Sequence, residues 1–157
     1  MNTARDIRRF AFQAVFQLDA RGEITPEELL AALRADAEAS VNDKTLTKAV
    51  ERALAAYHAR AASDAAMLEL APTWPAHRQA AADRAILRLA HWEMCSGTTT
   101  PKVVVNEAVE LAKEFGTDKS PAFVNALLDK VLKKLEASGA VKTAPGAAAA
   151  SPDSELS

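Results

Sequence analysis

The sequence predicts an all-α chain of about seven helices, and three observations predict it. Of the 157 residues, 49% are hydrophobic and much of that share is alanine, while only 5% are aromatic. Helices packed closely through small side chains suit this composition better than a sheet, which favours β-branched and aromatic residues. Glycine and proline fall almost entirely between segments of helical periodicity, where they punctuate the chain. No strand-like alternation and no internal repeat is present. Length and apolar content suffice for one domain with a real core.

The first helix is expected from about Thr3 to Arg21, stopping at Gly22. Thr25-Pro26-Glu27-Glu28 then forms a capping-box pattern. The Thr hydroxyl can accept from a first-turn N–H, Pro sits where no N–H is needed, and Glu28 reaches back. That second helix, rich in Leu and Ala, extends to about Ala39. A third starts near Asn42-Asp43 and runs to about Arg60, and a fourth covers about Ser63 to Leu70 before Pro72. Trp74-Pro75 reads as a bend, followed by a fifth helix from about His77 to Ser96 that halts at Gly97. Thr100-Pro101 and Ser120-Pro121 repeat the cap-then-proline signature and open helices six and seven. Gly116 and Gly139 close them, where a left-handed residue costs least. Residues 1–140 thus read as one helical domain. Residues 141–157, rich in Ala, Pro and Ser, read as a disordered tail.

A net charge of −2 argues against wholesale coating of nucleic acid, but the charge is uneven. Residues 1–21 hold four Arg against two Asp, whereas residues 22–72 hold five basic and nine acidic groups. A basic end on a mildly acidic body permits a local anion site. Cys95 is the single cysteine and cannot form an internal disulfide, which points to a reducing cytoplasm. No apolar run approaches the ~20 residues of a membrane span, and Met1 to Asp6 lacks the apolar stretch of a signal peptide.

Enzyme signatures do not emerge. The five glycines form no phosphate loop, and the three histidines give no HExxH. His91 and Cys95 stand at i, i+4, yet two ligands do not close a zinc site. The carboxylates lie on solvent-type faces, without environments that would separate their pKa values. The expectation is a protein with no catalytic residues, no metal and no cofactor.

A helical wheel divides the first helix into two faces. Ile7, Phe10, Ala11, Ala14 and Leu18 gather on one side as a core stripe. Arg5, Arg8, Arg9, Phe12 and Phe16 lie opposite, with Gln13 at the edge. Arginine interleaved with aromatics suits single-stranded RNA, because guanidinium groups fork onto phosphates and rings stack on unpaired bases. The alternative stays open that neighbouring helices cover both Phe side chains and the arginines form a solvated end. In helix seven, Val124, Leu127, Leu128, Val131 and Leu135 make an apolar stripe, and Lys130, Lys133 and Lys134 lie outside it near the negative dipole end. Helix five carries Asp83-Arg84, Arg88 and Glu93 within an apolar run. Such charges must be bordering or paired, and Glu93 reads as a structural ion pair.

Two stretches carry the reading further. Asp83-Arg84-Ala85-Ile86-Leu87-Arg88-Leu89-Ala90, followed by Glu93, resembles a helix signature of the NusB family. Residues 103–132, VVVNEAVELAKEFGTDKSPAFVNALLDKVL, resemble that family's terminal helix pair almost position for position. Arg8 and Gln13-Ala14-Val15-Phe16-Gln17-Leu18 look like its opening helix, while residues 23–70 match only in helix pattern. The resemblance implies two perpendicular three-helix bundles with an additional helix. It implies binding to boxA-type RNA in nascent ribosomal RNA leaders, together with the ribosomal protein NusE, within an RNA polymerase antitermination complex. It places the RNA site at Arg5, Arg8, Gln13 and Phe16, and at Asp118, Lys119 and Phe123; the wheel adds Arg9. Asp83 and Arg84 match positions near the junction of RNA and partner.

Three positions depart from the family pattern. Asp6 interrupts the arginine run, Ala122 stands where a basic residue is common, and Ala126 replaces a glycine. The same fold precedes the catalytic domain of certain rRNA cytosine methyltransferases; the expectation here is the helical domain without that second one. Two other readings are therefore a protein-interaction adaptor that does not bind RNA and an accessory to rRNA methylation.

Overall fold

The computed structural model describes residues 3–139, within which the chain forms seven α-helices, one 3-10 turn and no strand. The tail expected at residues 141–157 lies outside the described residues. The helices are α1 (Ala4–Arg21), α2 (Pro26–Asp36), α3 (Asp43–His58), α4 (Arg60–Leu70), α5 (Ala81–Ser96), α6 (Pro101–Phe115) and α7 (Ser120–Ala137), with the 3-10 turn at Ala76–Arg78. Helices α1, α2 and α3 pack on one another, as do α5, α6 and α7. Helix α5 also meets α1 and α3, and α4 bridges α3, α5 and α7. Two three-helix groups with an additional helix between them result, as expected.

Alanine governs how closely these helices approach. Ala11, Ala14, Ala49, Ala53 and Ala56 are fully buried where α1 packs on α3. Leu29, Leu33, Leu46, Met67, Ile86, Leu87, Leu89 and Leu128 fill the space around them. Helix α5 is central and buries most of its length, which explains why its charged residues must be paired.

Several boundaries differ from expectation for identifiable reasons. Only Ala59 separates α3 from α4, and its N–H still bonds to the Ala55 carbonyl, so α4 begins at Arg60 rather than Ser63. Helix α5 begins at Ala81 rather than His77. The Arg84 guanidinium takes the carbonyls of Ala76 (2.9 Å) and Gln79 (3.0 Å), holding that segment as a tight turn and then an extended step. The Thr25–Glu28 capping box is present, and Thr3 with Asp6 forms a second box at α1.

The caps of the last two helices do not follow their signature. Thr100 occupies the N-cap position of α6 but makes no side-chain cap bond. Ser120 lies inside α7, where its buried Oγ accepts the Thr117 N–H at 2.9 Å and ties the preceding turn instead. Gly97 adopts the left-handed conformation at φ 74°, a backbone that favours glycine. Gly116 does not: its φ is −100°, and it is glycine for space. A Cβ there would stand 2.5 Å from the Ser120 Cβ and Oγ.

Candidate nucleic-acid interface

Helix α1 buries a broader arc than the wheel allotted to the core. Arg8, Ala11, Phe12, Ala14, Val15 and Leu18 are buried, while Ile7 and Phe10 are only half-buried. The reason is that α1 packs against α3 on one side and α5 on another, so the arc facing protein is wide. Phe12 is core, its ring 4.7 Å from Phe115 of α6. Phe16 stays 39% exposed, its ring 6.2 Å from Phe12.

The expectation that Arg8 shares an open face with Arg5 and Arg9 is corrected. Arg8 is 5% exposed, and its Nε donates to both Glu93 carboxylate oxygens at 3.2 and 3.1 Å. Its Nη2 donates to the Thr99 hydroxyl at 3.2 Å, and Arg52 of α3 reaches the same Glu93 at 2.8 Å. Glu93 is therefore the ion-paired residue its context demanded. Burial pushes its carboxyl upward, against the pull of the two guanidinium groups.

Arg5 and Arg9 remain outside, each engaged by a carboxylate of α6. Arg5 forks onto Glu107 at 3.0 and 2.8 Å, and Arg9 forks onto Glu114. The Arg9 guanidinium also lies 5.6 Å above the Phe115 ring. Beside them opens a groove of about 590 Å³, lined by Arg9, Gln13 and Phe16 from α1, Phe115 from α6, and Asp36 and Glu38 at the end of α2. Asp6 also borders it. The Thr3 N–H and hydroxyl hold the Asp6 carboxyl below its usual range, so this departure from the arginine run is also part of a helix cap.

The remaining expected residues form a second locus. Asp118 and Lys119 are exposed in the turn before α7, and Phe123 is half-buried one turn on. The Phe123 ring meets Trp74 at 6.3 Å, edge to face, while Phe16 meets Phe12. Phe16 and Phe123 thus have separate aromatic partners. Trp74 is 46% exposed, and the sequence marks it only as part of a bend. The signal available was an arginine four residues on, Arg78, which lies 5.4 Å from the indole ring centre.

Asp83 and Arg84 have contrasting surroundings. Arg84 is satisfied internally by Asp19 of α1 (3.0 and 2.6 Å) and by the two carbonyls before α5. Asp83 is 8% exposed, and its Oδ1 has no hydrogen-bond partner among the described residues. Among the described residues no group of three or more metal-ligating side chains occurs. Cys95 lies 3.5 Å from His91 Nε2, whose Nδ1 meets Ser63 at 2.8 Å; burial raises the thiol pKa and lowers that of the imidazole. No helix among the described residues is long and apolar enough to cross a membrane.

Comparison with known proteins follows the same lines. The model of the NusB family matches residues 5–133. The transcription antitermination protein NusB of Kineococcus radiotolerans is 34% identical over 137 residues, covering 87% of this chain and 97% of that protein. The solved structure of T. maritima NusB superposes with a TM-score of 0.71 at 28% identity, covering 85% of this chain and 93% of that one. A chain in the crystal structure of a plectonemic RNA supercoil shares the fold, with a TM-score of 0.72 at 23% identity, over 85% of this chain and 96% of that one.

Proposed function

Because this chain belongs to the NusB family, whose members include transcription antitermination proteins, we propose that it binds boxA-type RNA of nascent rRNA together with NusE. It acts by binding, and α1 provides the principal RNA face. The observation that carries this reading is the groove in which Arg9, Gln13 and Phe16 come together, while the exposed Arg5 shares a second pocket with Arg9. A guanidinium can fork onto phosphate, and the open Phe16 ring can take an unpaired base. Asp118, Lys119 and Phe123 add a second point of attachment at the start of α7. That a chain of this fold occurs in an RNA supercoil structure is a supporting circumstance. Arg8 serves the site indirectly, by fixing α1 to α5.

Asp83 is the residue assigned to the protein partner. Its buried Oδ1 requires a donor, and a docking protein can supply one. Arg84 holds the backbone before α5 in place beside it. A second reading, a protein-only adaptor, is favoured by one observation: Arg5 and Arg9 are already paired with carboxylates.

Titration of labelled boxA-type RNA, with and without NusE, decides between them. Under the first reading, Arg9→Ala weakens all RNA sequences alike and flattens the salt dependence by roughly 0.7 for each phosphate released. Phe16→Ala lowers affinity by roughly 1–3 kcal/mol if a base stacks there. Retention of NusE binding with no RNA affinity at low salt establishes the adaptor.

A further inference from the structure

Trp74, Arg78, Lys119 and Phe123 form a cluster that the α1 groove does not account for. Two separate segments each present a cation and an aromatic ring four residues apart: Trp74 with Arg78 before α5, and Lys119 with Phe123 at the start of α7. The rings meet at 6.3 Å with planes inclined by 69°, and the Arg78 guanidinium carbon lies 5.4 Å from the indole centre. Unlike Arg5 and Arg9, neither Arg78 nor Lys119 takes part in an ion pair among the described residues.

Trp74 is also fixed in place. Its carbonyl accepts Gln79 Nε2 at 3.1 Å, and its N–H donates to the Ala71 carbonyl at 2.9 Å. Gln79 itself is buried. An aromatic surface that is half open, held by its backbone and flanked by two uncompensated cations has the chemistry of a single-strand nucleic-acid platform. Ring faces stack on unpaired bases, and cations hold the connecting phosphates. A protein-docking surface draws on the same Trp and Arg chemistry, so NusE binding is measured alongside RNA binding.

We infer that Trp74, seated against Phe123 and flanked by Arg78 and Lys119, is a stacking platform for an unpaired RNA base, extending the RNA path from α1 to the start of α7. The inference rests on the RNA-binding reading above and adds to its Lys119 and Phe123 two residues which that reading does not use, Trp74 and Arg78. Trp74 reports on itself by fluorescence once Trp92, the other tryptophan, is replaced by Phe.

Single-stranded boxA-type RNA carrying a fluorescein label is titrated onto Trp92→Phe protein, following both indole emission and label anisotropy. RNA binding is expected to quench Trp74. Trp74→Ala should weaken affinity about 5- to 150-fold, and Trp74→Phe should restore most of it. Arg78→Ala should flatten the salt dependence by about 0.7. Melting curves accompany each variant, and the quenching measurement on intact Trp74 stands whether or not Trp74→Ala folds. RNA binding that leaves Trp74 emission and Trp74→Ala affinity unchanged overturns the platform and leaves the α1 site standing. Loss of NusE binding rather than RNA binding in Trp74→Ala makes the cluster a protein-binding surface and also overturns it. No RNA binding by any form overturns both readings.

Discussion

Arg8 and Arg9 are adjacent in sequence and have opposite surroundings. Arg9 lies at the surface with Glu114, whereas Arg8 enters the core to meet Glu93, Arg52 and Thr99. A buried pair of this kind is costly to break from one side, because the remaining charge stays desolvated. Arg8→Ala is expected to cost about 3 kcal/mol, with Arg52 still partly compensating Glu93, and chemical denaturation measures it. A wild-type midpoint would show that the pair contributes nothing. The surface pair behaves differently. Glu114 competes with any phosphate for Arg9, so Glu114→Gln should tighten RNA binding roughly two- to fivefold at low salt, the range of exposed ion pairs. High salt should erase the gain. Unchanged affinity in Glu114→Gln, with a clear loss in Arg9→Ala, would mean that the carboxylate does not restrain the arginine. Glu93 was legible in the sequence as an ion-paired residue because charge amid Leu and Ile must be compensated. Its partner was not, since Arg8 lies 85 residues away and a one-helix wheel contains no neighbours.

At the scale of elements, starts with local chemistry were readable, and those set by distant residues were not. The Thr25–Glu28 box is a four-residue device and appears where expected. The start of α5 depends on Arg84 reaching back to two carbonyls, which periodicity cannot disclose. The turn between α6 and α7 shows the same limit. Ser120-Pro121 has the form of a cap, but Gly116 brings the chain so close that the Ser120 hydroxyl ties Thr117 instead. Gly116→Ala therefore tests packing rather than conformational freedom. The added methyl collides with a buried serine, and a loss of about 1–3 kcal/mol is expected in thermal or denaturant melting. Because Lys119 and Phe123 sit on this turn, RNA affinity should fall with it. If Gly116→Ala melts with the parent protein, the turn has room that the geometry denies.

Charged pairs hold the two bundles together, and one network joins three helices. Arg84 and Arg88 of α5 both bind Asp19 of α1, and Arg88 also forks onto Asp64 of α4 at 2.9 and 2.7 Å. This network and His91 give stability a pH dependence with a definite sign. Burial lowers the His91 pKa, so the fold prefers neutral imidazole. Its contribution is complete above the unfolded value of about 6.5 and is lost as pH falls through the folded one. Asp19 is partly desolvated, which alone would raise its pKa, but Arg84 and Arg88 outweigh that and hold it below the usual carboxylate range. Its contribution is complete above an unfolded value of about 3.9 and is lost on further acidification. Glu93 acts in the opposite sense: its carboxyl is raised, so protonation relieves part of its desolvation as pH drops below the folded value. Melting temperature should therefore decline in two steps, first below about pH 6.5 and again below about pH 4. His91→Gln should remove the first step and leave the second. Asp19→Asn should lower stability at neutral pH, because two guanidinium groups lose their shared acceptor, and should flatten the acid step. A single decline near pH 4 in the parent protein, unaltered by His91→Gln, would show that the imidazole contributes no linkage. An acid step that survives in Asp19→Asn would show that Asp19 does not carry the acid sensitivity.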